Sequence, residues 1–174
     1  MISSLFEGID NSFVPKLYYY YDDVTDIWIG AMRLSTRSRY AIRALLDLAI
    51  HAEEGPILVR EIAEREDISV RYLEQLLLPL KAANLVRATR GSNGGFMLAK
   101  NVSEINLRDV IQITEGTTAF TECADDPGIC PRSDTCPLLD VWNEVTDSAN
   151  KVLASISLET LRDKQKCKST NAPV

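Results

Sequence analysis

The spacing of apolar and polar positions changes character at Met32. Ahead of it, Tyr18-Tyr19-Tyr20-Tyr21-Asp22-Asp23 follows neither a helical nor a strand period, and the apolar run Ile27-Trp28-Ile29 is too short to form a core. From Ser38 onward the pattern is helical. Ala41, Ile42, Leu45, Leu46, Leu48 and Ala49 form a wide stripe that ends at Glu53-Glu54-Gly55-Pro56, a helix stop. A short helix is predicted over Val59–Glu66, with Ile62 and Ala63 inward, then a tight turn at Asp67-Ile68. Ser69 is suited to cap the next helix, where Leu73, Leu76, Leu77 and Leu80 recur at the spacing of a buried face. Pro79 inside that pattern predicts a kink or break near Leu78.

Two strands, over residues 85–89 and 96–98, flank Gly91-Ser92-Asn93-Gly94-Gly95, a hairpin loop rich in residues that tolerate positive φ. Asn106 is suited to cap a helix running to Glu115, with Leu107, Val110 and Ile111 inward and Gly116 as its stop. Pro127, Gly128 and Pro131 predict an irregular segment between Cys123 and Cys136. Pro137 then suits the first turn of a long helix with Leu138, Val141, Trp142, Val145, Ala149, Val152 and Leu153 on one face. Ser157 is expected to cap a last short helix through Leu161, followed by a polar tail that frays.

Two short helices joined by a tight turn and followed by a glycine-rich hairpin make a winged helix-turn-helix. The fold class is mainly α with a small β wing, plus a long helix suited to dimerisation. The expected division is 1–31, an extension that is disordered or a start-site artefact; 32–116, the winged helix-turn-helix; 117–136, a cysteine loop; 137–166, dimerisation helices; and 167–174, a tail.

Composition changes this picture in one respect. The net charge of −6 argues against a nucleic-acid partner until it is divided along the chain. Residues 1–31 carry −4, residues 32–100 carry +3 and residues 101–174 carry −5. Phosphate contacts are therefore expected in the middle segment alone. No apolar run approaches the ~18 residues of a membrane span. The chain start lacks a secretory pattern. Together these predict a cytoplasmic protein with no membrane partner, in which clustered cysteines serve metal or redox chemistry.

The second helix of a helix-turn-helix enters the major groove with its first residues on the base edges. Here those residues are Ser69, Arg71, Tyr72, Glu74 and Gln75, with Leu73, Leu76 and Leu77 turned inward. Arg suits guanine, Gln suits adenine, and Glu accepts from cytosine. At the wing, Arg87 and Arg90 are placed to reach a minor groove or a phosphate. The partner implied is double-stranded DNA. A two-fold dimer built on Leu138, Val141, Trp142, Val145 and Val152 makes the operator a near-palindrome.

Three stretches carry a resemblance: Met32–Ala41, Ile68–Leu76 and Val86–Phe96. They resemble the bacterial dimeric winged-helix transcription regulators of the IscR type, a family that includes NsrR and CymR. The resemblance runs from Met32 to about Leu161 and implies DNA contacts at Arg71, Tyr72, Glu74 and Gln75 and a minor-groove role for Arg90.

Cys123, Cys130 and Cys136, with six and then five residues between them, are the candidate metal ligands. A loop lets several thiolates converge on an iron–sulfur cluster, which regular structure rarely allows. Zinc more often takes paired Cys-x-x-Cys hooks. Spacing alone leaves cluster, zinc and free thiols open. The resemblance favours a cluster, either 2Fe–2S or 4Fe–4S, and also admits a cluster-free regulator controlled by a protein partner or thiol oxidation. This chain departs from the family's ligand patterns. Leu139 stands where the IscR pattern has His, and Arg39 stands where the NsrR pattern has Asp. Asp140, Glu122, a partner-subunit residue or a small thiol are the candidate fourth ligands. His51 is expected at the surface and Cys167 as a spare thiol. No dinucleotide or phosphate fingerprint is present, and no His is suited to partner a catalytic Cys, so an enzyme is not expected.

Overall fold

Ser35 opens the described architecture. Its Oγ accepts from the Ser38 amide at 3.3 Å and starts α1 (Thr36–Ile50). The computed structural model describes residues 34–91 and 94–170. The expectations for residues 1–31, and for Ser92 and Asn93 of the hairpin loop, lie outside the described residues.

Ala41, Ala44, Leu45 and Leu48 of α1 are buried. Ile42 and Leu46 are only half-buried, and Asp47 takes an interior position instead. A carboxylate is stable there because Arg65 meets it with two donors, Nε at 2.7 Å and Nη2 at 2.8 Å. His51, expected at the surface, is partly exposed. Its side chain is half-buried, with Nε2 3.7 Å from Asp47 Oδ1, because one helical turn puts it beside that acid.

Helix α2 (Val59–Glu66) starts where the Glu61 carboxylate accepts from the Leu58 amide at 3.2 Å. It ends at Asp67, whose φ of 51° reverses the chain. Helix α3 (Val70–Ala82) follows, capped by Ser69 Oγ, which accepts from the Tyr72 amide at 3.3 Å. Of the expected kink or break near Leu78, the break does not occur: α3 continues past Pro79 to Ala82. Pro79 has no N–H, so one backbone bond is forgone, while its own carbonyl still accepts from the Ala83 amide at 2.9 Å. Leu76, Leu77 and Leu80 anchor the helix on both sides of it.

Strands β1 (Val86–Thr89) and β2 (Gly95–Leu98) pair antiparallel, with Val86 opposite Leu98 and Thr89 opposite Gly95. Ile57 pairs with Phe96 through two backbone bonds of 2.8 and 2.7 Å. A Cβ on Gly95 would meet the Ile57 backbone at 2.4 Å, so the wing can lie against this segment only with glycine there.

Asn106 caps α4 (Leu107–Glu115), accepting from the Asp109 amide at 3.0 Å, and Gly116 ends it with φ 87°. The cysteine segment, expected to be irregular, forms three separate single turns. These are α5 (Glu122–Asp125) and two 3-10 turns, Pro127–Ile129 and Ser133–Thr135. The prolines and glycine stop each turn from extending rather than forbidding helical geometry. Helix α6 (Pro137–Ala154) has Pro137 at its first position.

Helix α7 (Leu158–Thr170) is longer than expected and takes in much of the predicted tail. Ser157 Oγ accepts from the Thr160 amide at 3.2 Å. Leu158 is fully buried in the core with Leu45, Leu73 and Val110. Past Leu161 the helix is sustained by residues of high helix propensity, Arg162, Lys164, Gln165, Lys166 and Lys168, rather than by burial. Backbone bonds from Leu158 N to Ile105 O (2.9 Å) and from Leu107 N to Ile156 O (3.0 Å) stitch this return to the segment after the wing. Among the described residues no helix is long and apolar enough to cross a membrane.

Candidate functional site

The outer face of α3 follows from its inner one. Burial of Leu73, Leu76, Leu77 and Leu80 turns Arg71, Glu74 and Gln75 to solvent. Ser69 is exposed, with its hydroxyl committed to the cap. Tyr72 is half-buried rather than fully outward. Its ring lies edge-on to Tyr40 of α1, with centroids 6.1 Å apart and planes at 80°. The Arg43 guanidinium lies over the other ring, 5.3 Å from the Tyr40 centroid, and its Nε donates to Glu66 Oε2 at 2.7 Å. The α3 N-terminus is thus braced by α1 and by the end of α2. The leucine spacing could not reveal this brace, because it depends on a contact between two separated stripes. Arg87 and Arg90 are both exposed, on β1 and immediately after it. Reader helix and wing therefore present four charged side chains, three of them cationic, on one basic stretch of the chain.

The three cysteines lie on or directly after three successive turns. Cys123 sits within α5, Cys130 ends the first 3-10 turn, and Cys136 ends the second and is the N-cap of α6. All three are free thiols and half-buried, whereas Cys167 is an exposed thiol on α7. Cys123 Sγ lies 3.3 Å from Thr121 Oγ1. Among the described residues no three His, Cys, Asp or Glu side chains come together as a group able to hold a metal ion. The donor set nonetheless suits a thiophilic centre. The thiols are partly exposed, the turns carrying them are held mainly by short-range backbone bonds, and no disulfide ties them down.

Both ends of the loop are fixed to α6. At its start, Phe120 stacks on Trp142 with centroids 5.3 Å apart, and the Phe120 amide donates to Thr146 Oγ1 at 3.0 Å. At its end, Cys136 leads directly into the helix. Glu115, just ahead of the loop, accepts from Ser38 Oγ and, at 3.3 Å, from the Ser35 amide, which ties α4 to the start of α1. Phe120, Thr146 and Glu115 were not legible as site residues, since nothing in their spacing marks them.

A face of α6 adjoining the Trp142 side is apolar and uncovered in the single chain. Val141, Val145, Ala149, Val152 and Leu153 line a shallow groove of about 630 Å³, edged by Glu144 and Ser148. Val141 and Val152 are 47% and 60% exposed, and Leu138, one turn nearer the loop, is 55% exposed. Trp142 is not part of this groove but faces Phe120 of its own chain.

The family model described as Rrf2, iron-dependent transcriptional regulator, matches residues 34–164. The HTH-type transcriptional regulator IscR of Photorhabdus laumondii is 40% identical over 134 residues, covering 77% of this chain and 81% of that protein. Among solved structures, T. potens IscR superposes with a TM-score of 0.66 at 32% identity, covering 83% of this chain and 94% of the other. CymR of B. subtilis, described as the global cysteine regulator, gives 0.64 at 32% identity, covering 77% and 98%. The reader, wing and helical core are accordingly those of a winged-helix transcription regulator and not of an enzyme. By both the family match and the identity of its relatives, the chain belongs to the Rrf2 family of transcriptional regulators.

Proposed function

We propose that this regulator is a homodimer that binds a near-palindromic operator and senses iron–sulfur or redox status through Cys123, Cys130 and Cys136. The observation that carries the reading is the anchoring of the cysteine loop. Three half-buried thiols lie on a segment fixed to one helix at Phe120 and at Cys136. Thiolates are the ligands of iron–sulfur clusters. A bound cluster supplies a centre that oxidants, nitric oxide or iron shortage can remove.

The chain's own residues account for the rest. Drawing the three thiols together reshapes turns whose two ends are held on α6. That strains the seat of Phe120 on Trp142 and the position of Glu115 against Ser35 and Ser38. Helix α1 carries any shift to α3 through Tyr40 and Tyr72. Helix α6 carries it to the groove of Val141, Val145 and Val152, where the second copy of the chain packs and the spacing of the two reader helices is set. Arg71, Glu74 and Gln75 read base edges, and Arg87 and Arg90 hold the wing to the backbone or minor groove.

The test is an absorption spectrum of protein purified without oxygen, with iron and sulfide counted per chain. Charge-transfer absorption with matched iron and sulfide is the expected result, and the count separates two-iron from four-iron. One observation favours a second reading, a regulator working through thiol oxidation or a protein partner: the thiols do not group as a metal site in this structure. A colourless protein that stays iron-free after reconstitution selects that reading and leaves the DNA-binding half intact.

A further inference from the structure

The outward stripe of α3 is not wholly polar. Arg71, Gln75 and Leu78 succeed one another at i, i+4 and i+7, directly opposite the buried Leu73, Leu76, Leu77 and Leu80. Leu78 is 66% exposed, more than any other large apolar side chain among the described residues. It is therefore no part of the core, and it lies in line with the two side chains best suited to read guanine and adenine.

From these observations we infer that Leu78 is a base-reading residue: its side chain packs on the C5-methyl of a thymine in the major groove. This rests on the reading of α3 as the DNA-contacting helix. Of the groups on base-pair edges in that groove, the thymine methyl is the one that an aliphatic side chain recognises and a polar one does not. Arg71 and Gln75 take hydrogen-bonding edges, and Leu78 supplies the apolar complement on the same face. For a helix lying along the groove, seven residues at a rise of ~1.5 Å place Leu78 about 10 Å beyond Arg71. That is about three base-pair steps of ~3.4 Å. Arg71 and Leu78 thus address different base pairs, and Leu78 adds a preference for thymine beyond the base pair that Arg71 reads.

The experiment uses the full chain. Duplexes are enriched from a random pool, and each thymine of the enriched sequence is replaced singly by deoxyuridine, which removes one methyl and leaves every hydrogen-bonding group. Loss of one buried methyl corresponds to about a four-fold drop in affinity. That drop is expected at one thymine in each recognition site. Leu78→Ala is expected to bind the thymine duplex about as weakly as the unaltered protein binds the uracil one, and to show no further loss at that position. A flat scan with the unaltered protein overturns the role of Leu78, and that arm needs no variant to fold. Undiminished sensitivity in Leu78→Ala overturns it too. Either result leaves the DNA-binding reading standing. Failure to enrich any duplex overturns the DNA-binding reading and this one with it.

Discussion

The ring of Phe120 lies parallel to that of Trp142, 5.3 Å between centroids and 17° between planes, and this contact seats the start of the cysteine loop on α6. The Phe120 amide adds a bond to Thr146 Oγ1 one turn further along the helix. Removing the ring forfeits its stacking, about 1 kcal/mol beyond the area it buries. Phe120→Ala is therefore expected to raise amide exchange across residues 117–136 several-fold while leaving α1 and α3 unchanged. Hydrogen exchange read by mass spectrometry checks this. Equal exchange in the two proteins would mean that the loop is held elsewhere.

The three loop thiols are set apart from the fourth by position. Cys123, Cys130 and Cys136 are half-buried on consecutive turns, while Cys167 is exposed on a polar helix. If the loop holds a cluster, Cys123→Ala, Cys130→Ala and Cys136→Ala each lose most of the iron bound after anaerobic reconstitution, and Cys167→Ala keeps it. Iron and sulfide analysis of the four variants, alongside thermal unfolding to show that each is folded, decides the point. Loss of iron in Cys167→Ala would move a ligand onto α7.

How much of this was legible depended on whether a feature was local. Caps and stops were readable because each is fixed by one or two residues. Ser69 caps α3, Asn106 caps α4, and Gly116 ends it with a left-handed φ. The leucine face of α3 was readable from its period, while Pro79 does not break the helix. The missing N–H forgoes one backbone bond, and the burial of Leu76, Leu77 and Leu80 on both sides of it offsets that loss. Helix α7 was underestimated because its sequence past Leu161 has no apolar period to read. The burial of Asp47 was hidden for a different reason. Its acceptability depends on Arg65, eighteen residues away and on another helix. The braces at Tyr40, Phe120 and Glu115 share that dependence on distant partners, so the reader and the cysteines could be named from the sequence while the contacts joining them could not.

The groove on α6 has the chemistry of an interface. Val141, Val145, Ala149, Val152 and Leu153 lie along one face, and the helix has no buried residue in the single chain. Valines left 47% and 60% exposed would gain stability under a second apolar surface, as the proposed dimer supplies. With the second copy packed there, Val145→Glu places a charge in the contact and is expected to shift the protein to monomer at micromolar concentration. Sedimentation velocity reads the mass directly, and circular dichroism shows whether α6 survives. A dimer of unchanged mass would place the interface on another face. Operator affinity is expected to fall more steeply than affinity for a half-site, since one reader helix still binds.

The pairing of Asp47 with Arg65 is asymmetric, and the asymmetry can be measured. The carboxylate is 4% exposed, whereas the arginine side chain is 34% exposed. Truncating the exposed partner strands a charge in the core. Neutralising the buried one leaves a guanidinium that water can still reach. Arg65→Ala is therefore expected to cost about 3 kcal/mol, as for a broken buried pair. Asp47→Asn, which keeps the shape and one acceptor, is expected to cost about 1 kcal/mol. In the double variant the stranded charge is gone, so its cost is expected to fall below that of Arg65→Ala alone, a coupling of about 2 kcal/mol between residues in direct contact. Urea denaturation of the four proteins gives the cycle. Equal single costs that simply add would show that Asp47 is solvated in the folded protein. The bridge would then no longer explain why α1 accepts an acid in the middle of its buried stripe.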